Sequence, residues 1–325
     1  MTDPPDDARS APAAPARSVR VAGLGLTVVD HQLILPRLPG PDQKATAAAA
    51  SVQVGGPAPT ALAQLAALGG PPATVLSTWG DDADGRTIEA NLHAAGLRFD
   101  ADLCRTAPRT GFAHVWVEAR TGRRSLAAVR PDGTSLTSER VVNAVSDVDV
   151  LHTDGWPGAA AVAACQAVNA AGGWVSVDLG ASEKPAELIE LAAVLNLPAQ
   201  AFPRLTDARD PIAAATALLR RGPRLVTVTN GSQGCWYAAR LPDGVESGFV
   251  PAFPAEAVDT CGAGDCFCGG LLFAVLDGRP PSAAVRFAAA VASLKVRKLG
   301  NREALPDRAA VEALLAAHEK TPADS

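Results

Sequence analysis

Val258-Asp259-Thr260-Cys261-Gly262-Ala263-Gly264-Asp265, followed by the apolar run Cys266 to Leu276, decides how the rest of this 325-residue chain reads. A turn of small residues opens straight into a helical pattern. The backbone N–H groups of Gly262, Ala263 and Gly264 therefore lack partners inside the helix and stand at the positive end of its dipole. Donors so placed suit an anion, above all a phosphate, and glycine lets a phosphoryl group reach the backbone where a side chain would hold it away. Asp265 adds a carboxylate in the first helical turn. It would repel an anion bound alone, yet an alcohol approaching that phosphate would find in it an acceptor to orient it and take its proton. A strong base is unnecessary, because the hydroxyl is deprotonated late in a loose transition state. An isolated aspartate in a first turn ordinarily just complements the dipole. The unit Asp-Thr-x-Gly-Ala-Gly-Asp, with two flexible glycines beside a helix-starting acid, points to a ligand.

Composition narrows the partners. Hydrophobic residues make up 48% of the chain, enough to core one large α/β domain or two smaller ones. A net charge of −5, no basic block and only 4% aromatic residues give nucleic acid neither an electrostatic nor a stacking surface. Residues Met1 to Ser18, rich in Pro, Ala and Asp, read as a disordered tail and not as a secretion signal. No run of about 18 apolar residues occurs, so no membrane span is expected and a cytoplasmic location follows by default. The six cysteines, Cys104, Cys165, Cys235, Cys261, Cys266 and Cys268, match no common zinc framework and read as small buried thiols; no metal-ligating residues are expected.

Working outward, Val19 to Val29 is a nearly continuous β-branched run with the look of one buried strand, ending at Asp30-His31. Its Gly23-Leu24-Gly25 invites a dinucleotide reading, which Val28, in the place of a third glycine, weakens. Asp30 is either a turn former or an acid facing a cleft. Gln32 to Leu38 and Lys44 to Val54 flank a Pro-Gly-Pro-Asp turn. Although the run Thr46 to Ser51 favours helix by propensity, the alternation of Val52-Gln53-Val54 favours strand. Gly55-Gly56-Pro57-Ala58-Pro59-Thr60 opens a helix expected at Ala61 to Leu68. The acids Asp81, Asp82 and Asp84 lack the spacing of a calcium loop and read as a structural turn before a helix at Thr87 to Ala95. Thr110 to Glu118 and Arg123 to Val129 form a hairpin around a turn at 119–122. From Asp147 onward short apolar strands alternate with helices, which predicts a parallel sheet covered on both faces, with ligands beyond the carboxyl ends of its strands. Thr229-Asn230-Gly231-Ser232-Gln233-Gly234 sits at one such end, where a nucleotide loop and a plain hairpin turn explain the glycines equally.

The Asp259 to Asp265 unit resembles the signature of the ribokinase-type (PfkB) carbohydrate kinases, and Gly-Gly-Pro-Ala-x-Thr at 55–60 looks like the ketohexokinase and sulfofructose kinase branch. The resemblance implies a ribokinase-like α/β fold, doubly wound around a mostly parallel sheet. The kinase domain would cover 19–320, with a small β lid from about 31–55 and 110–130 and a short tail at 321–325. It implies transfer of the ATP γ-phosphate to a sugar hydroxyl, with ATP and Mg²⁺ required and K⁺ left open. Asp265 would be the base, and the Gly262, Ala263 and Gly264 amides the anion hole. Asp30, Gly55, Gly56, Thr60 and His114 would surround the sugar, with Lys44 meeting an anionic group on it. Thr229, Gly231, Gly234, Asp259 and Thr260 would serve the nucleotide, and the helices Pro281 to Arg297 and Asp307 to His318 would wall the adenine. Pairing of lid edges would give a homodimer.

Two departures stand out. Pro57 and Pro59 replace polar residues, and Asn196-Leu197-Pro198-Ala199-Gln200-Ala201 lacks the Glu of the family's Asn-x-x-Glu motif, leaving Mg²⁺ to ATP phosphates and water. A nucleoside kinase, a non-catalytic sugar or nucleotide binder that keeps the fold, and a dinucleotide oxidoreductase resting on Gly23 and Gly25 are the competing readings. No Gly-x-x-x-x-Gly-Lys-Ser/Thr occurs, which excludes a P-loop.

Overall fold

The computed structural model describes residues 18–121, 123–180 and 185–319. The tails expected at 1–18 and 321–325 lie outside these, Ser18 apart, as does Gly122 of the expected 119–122 turn. In chain order come β1 (Val21–Leu24), β2 (Val28–Leu35), β3 (Ala49–Gly55), α1 (Pro57–Ala67), β4 (Ala73–Leu76), α2 (Ala83–Ala94), β5 (Arg98–Phe99) and α3 (Ala101–Cys104). There follow β6 (Phe112–Glu118), β7 (Arg124–Val129), α4 (Ser138–Ala144), β8 (Val150–Thr153), α5 (Gly158–Ala170), β9 (Trp174–Asp178), α6 (Pro185–Leu191) and β10 (Val194–Pro198). The chain closes with α7 (Pro211–Leu219), β11 (Leu225–Thr229), β12 (Cys235–Leu241), β13 (Gly244–Val250), α8 (Ala263–Leu276), α9 (Pro281–Lys295) and α10 (Arg308–Glu319).

A nine-stranded sheet runs in the order β13-β12-β11-β10-β9-β8-β1-β4-β5. It is parallel from β11 to β5, with β12 and β13 antiparallel at one edge. Short β-branched runs suit such strands because both faces are covered: Leu151, Val175, Leu195, Val226 and Val228 are all fully buried. A separate four-stranded sheet, β3-β2-β6-β7, is built from the segments expected to form a lid and takes that name.

The apolar run Val19 to Val29 is not one strand but parts of two. Gly25 donates to Leu76 O at 3.1 Å and Leu26 to the Asp154 carboxylate at 2.9 Å, which carries the chain out of the large sheet before β2 begins the small one. Both halves are buried, so hydrophobicity alone shows no break between them. Asp30 consequently lies within lid strand β2, two residues past its start, and not at the end of β1.

Helix α1 starts at Pro57, four residues earlier than expected, since Pro57 and Pro59 occupy a first turn whose N–H groups need no partner. The alanine-rich arm is strand from Ala49, where pairing with β2 overrides helix propensity. Asp82 accepts from Gly85 N at 2.8 Å and Thr110 Oγ1 at 2.6 Å, so it caps α2 and ties it to the segment before β6. The carboxyl ends of β1, β8, β9, β10 and β11 share one edge of the sheet, and it is there that the first turn of α8 arrives.

Candidate active site

At the start of α8 Gly262 adopts the left-handed conformation (φ 73°) that turns the chain into the helix. The N–H groups of Gly262 and Gly264 have no partner among the described residues, and that of Ala263 makes only a long contact, 3.4 Å, to Thr260 O. The turn is braced from behind. Asp259 is 3% exposed; its Oδ1 accepts from Cys261 N at 2.8 Å and its Oδ2 from Gly300 N at 3.0 Å. This corrects the expected nucleotide role of Asp259, whose carboxylate points into the protein and is used up in holding the loop. Thr260 remains exposed on the outer side.

Asp265, half-buried, has its carboxyl pushed up to about 7, first by burial and next by the charge of Asp178, against the opposing pull of Arg124, Lys295 and Arg302. Asp178 ends β9, and burial raises its pKa in turn. Its Oδ1 accepts from Asn196 Nδ2 at 3.3 Å, and Asn196 Oδ1 accepts from Thr227 Oγ1 at 2.8 Å. Asn196 thus positions an acid from the neighbouring strand even though no Glu follows it. Asp154, at the end of β8, is also pushed up to about 7 by burial, but its oxygens accept from Leu26, Ala58 and Trp156 N–H groups and fix the crossing into the lid.

Strand register decides which lid residues face this site. Asp30 pairs with Gln53 and Ala113, and alternation puts Gln32, Ser51 and, through Val117, Arg124 on the same face. Burial pushes Asp30 up to about 6, while the charges of Arg124 and His31 and a bond from Asn301 work the other way. Gly55 lies against it: a Cβ there would overlap Asp30 Oδ2. Gly56 is required by its φ of 108° and by Leu26 O, which a side chain would strike.

His114 is a correction. It pairs with His31 on the opposite face, with ring centroids 5.4 Å from His31 and 5.5 Å from Phe112, and so does not stand with Asp30. Lys44 lies exposed between β2 and β3 with no hydrogen-bond or ion-pair partner among the described residues, and the lid cation whose charge acts on both Asp30 and Asp265 is Arg124.

Thr60, in the first turn of α1, keeps a buried Oγ1 without a partner among the described residues, and Asn301 Oδ1 is likewise unpartnered among them. Both border the anion-hole turn, since a Cβ on Gly262 would lie 3.2 Å from Asn301 Oδ1 and 3.6 Å from Thr60 Cγ2. Unsatisfied polar atoms beside free amides leave hydrogen-bonding capacity for a polar ligand. Asn301 is anchored by Gln53 Oε1, 2.6 Å from its N–H, and Arg302 by Asn91 Oδ1 and Pro59 O. Sequence reasoning missed Asn301, Arg302 and Lys295, which carry no local motif. Asp178 did have a signal, an acid ending a buried run, as Asp30 had.

Thr229, expected at the nucleotide, ends β11 at the same sheet edge, and Gly231 (φ 52°) and Gly234 (φ 117°) shape the turn that follows. A Cβ on Gly234 would overlap Val250 O, so the hairpin itself demands that glycine; Gly231 faces open space. Of the six cysteines only Cys261 is not fully buried, and burial still pushes it up to about 11, leaving it a poor nucleophile.

Free amides at a helix start, an acid beside them with a raised pKa and a second acid from a lid above can together orient a hydroxyl, accept its proton and hold a phosphoryl group. Comparison with known proteins identifies the family. Residues 19–308 match the model of the pfkB family carbohydrate kinases. The chain is 32% identical over 251 residues to a ribokinase of Bacillus subtilis, covering 73% of this chain and 79% of that protein. It is 26% identical over 328 residues to fructokinase-1 of Oryza sativa subsp. japonica, covering 92% and 98%. The structure of Arabidopsis thaliana ribokinase complexed with ribose and ATP superposes with a TM-score of 0.77 at 25% identity, over 92% of this chain and 99% of that one. The match spans nearly the whole chain, and the protein belongs to the PfkB family of carbohydrate kinases, the ribokinase-like phosphotransferases.

Proposed function

We propose that this kinase transfers the γ-phosphate of ATP to a hydroxyl of a ketose or acidic sugar, with Asp265 as general base. The observation that carries the reading is the Asp265 carboxyl beside the free amides of Gly262 and Gly264, with Asp30 of the lid near enough that both carboxyls act on Cys261. Asp30, Asn301 and Thr60 would hold the sugar hydroxyls. The oxygen aimed at the phosphate would pass its proton to Asp265 as it bonds to phosphorus, and the bond from phosphorus to the ADP oxygen breaks. The Gly262, Ala263 and Gly264 amides would stabilise charge on the migrating group. Thr229, Gly231 and Gly234 would border the nucleotide, with Thr260 at the mouth. Mg²⁺ would be carried on the ATP phosphates and water. When bound, it would neutralise charge on those phosphates.

Arg124 supports an anionic group on the sugar, the role expected of Lys44. Arg124→Ala should lower kcat/KM for acidic sugars about tenfold more than for neutral ones, while Lys44→Ala changes neither by more than about twofold. Direct measurement of ADP formed across ketoses, sugar acids and nucleosides tests the reading; turnover of nucleosides alone would replace it. Exposed lid side chains, Val52 (55%), Trp116 (40%) and Leu126 (56%), support a dimer through the lid, which light scattering would check. No helix among the described residues is long and apolar enough to cross a membrane, in keeping with a cytoplasmic enzyme.

A further inference from the structure

Lys295, the last residue of α9, is 0% exposed. Its Nζ donates to Asp259 O at 3.0 Å and lies 3.6 Å from Asp259 Oδ2, itself buried. Buried lysines are rare because removing an ammonium from water is costly unless oxygens replace the solvent. Here the oxygens belong to the residue that braces the anion-hole turn. Asp259 Oδ1 holds Cys261 N, Oδ2 holds Gly300 N, and the N–H groups of Val258 and Asp259 bond to Val296 O, beside Lys295. Two loops, 258–262 and 296–301, are thereby joined around one buried positive charge, which also acts on Asp265.

We infer that Lys295 is a positioning residue that serves as the enzyme's own monovalent cation, so that phosphoryl transfer needs no K⁺ from solution. An ammonium and K⁺ are of similar size and take the same oxygen ligands, but the ammonium is tethered and always present. A free K⁺ does not fit beside Asp259, because its main-chain oxygen and both carboxylate oxygens already serve the ammonium and two N–H groups. This inference rests on the kinase reading of the same site and concerns how the anion hole is held.

The test compares wild type, Lys295→Ala and Lys295→Met in buffers whose only monovalent cation is choline, K⁺ or NH₄⁺. ADP is measured directly, because coupling enzymes have cation requirements of their own, and each protein is melted in each buffer. Wild type should differ by less than about twofold in rate between choline and K⁺, with an unchanged Tm. Lys295→Ala should lose about 50-fold or more in choline and regain about tenfold in NH₄⁺ or K⁺, its Tm rising with the same ions. The inference is overturned if K⁺ activates wild type about tenfold over choline, if either variant is fully active in choline, or if folded variants respond to neither ion in rate or melting. Should neither variant fold, the wild-type comparison decides alone. Absence of ADP formation by wild type in every buffer would count against the substrate reading instead, and the melting responses would still judge the cation.

Discussion

Asp265→Asn is expected to lower kcat about 10²–10⁴-fold while leaving the Kd for ATP within about threefold of wild type. The amide keeps the size of the side chain and its place in the first turn of α8 but cannot take a proton. Nucleotide binding should survive, because the free amides of Gly262 and Gly264 belong to the backbone. Equal loss of ATP binding would make the residue structural.

The pH profile gives a second handle. With Asp265 pushed up to about 7 by burial and by Asp178, its basic form is lost as pH falls through that value, so wild-type kcat/KM should drop about tenfold per unit below it. The residual activity of Asp265→Asn should lack that limb. Stability should move the other way. A carboxyl whose folded pKa lies above its unfolded one favours folding only while protonated, and the advantage disappears as pH rises through about 7. Ionised Asp265 and Asp178 repel each other above that pH. Asp265→Asn should therefore melt higher than wild type in alkaline buffer, and the two should converge in acid. A variant that melts lower at every pH would show that the carboxylate is needed for packing.

Asp30→Asn is expected to raise the KM for sugar about 10- to 100-fold with the KM for ATP unchanged, the scale of one or two hydrogen bonds to a charged group. Gly55→Ala should reproduce much of this without touching a polar atom. The added Cβ would overlap Asp30 Oδ2, and the carboxylate must turn away from the face it shares with Gln53 and Arg124. Wild-type KM for sugar should itself rise as pH falls through about 6, where Asp30 is neutralised. A Gly55→Ala enzyme with normal sugar affinity would place the sugar away from Asp30.

How far each residue could be read depended on the range of the interactions that place it. The anion-hole turn, Asp265 and the alternation of strand and helix after Asp147 were legible because their chemistry is local: a free helix start, an acid in the first turn, runs of matching period. Asp30 was legible as an acid after an apolar run, but not its strand, because the break at Gly25 is made by Leu76 and Asp154, which come much later in the chain. His114 was misplaced for a related reason. One residue of register separates the face bearing Asp30 from the face bearing His114, and only pairing with β2 fixes that register.

The sequence by itself determined that a helix start with free amides and an acid in its first turn lies on a parallel α/β scaffold, since those features arise from backbone donors and periodicity within a few residues. Only the tertiary structure decided what surrounds them. Asp178 raises the pKa of Asp265 from a neighbouring strand, Asn301 and Thr60 leave polar atoms free beside the turn, and Lys295 clamps the loop through Asp259. Burial and charge act through space, and residues far apart in the chain meet only once the sheet has brought its carboxyl ends to one edge.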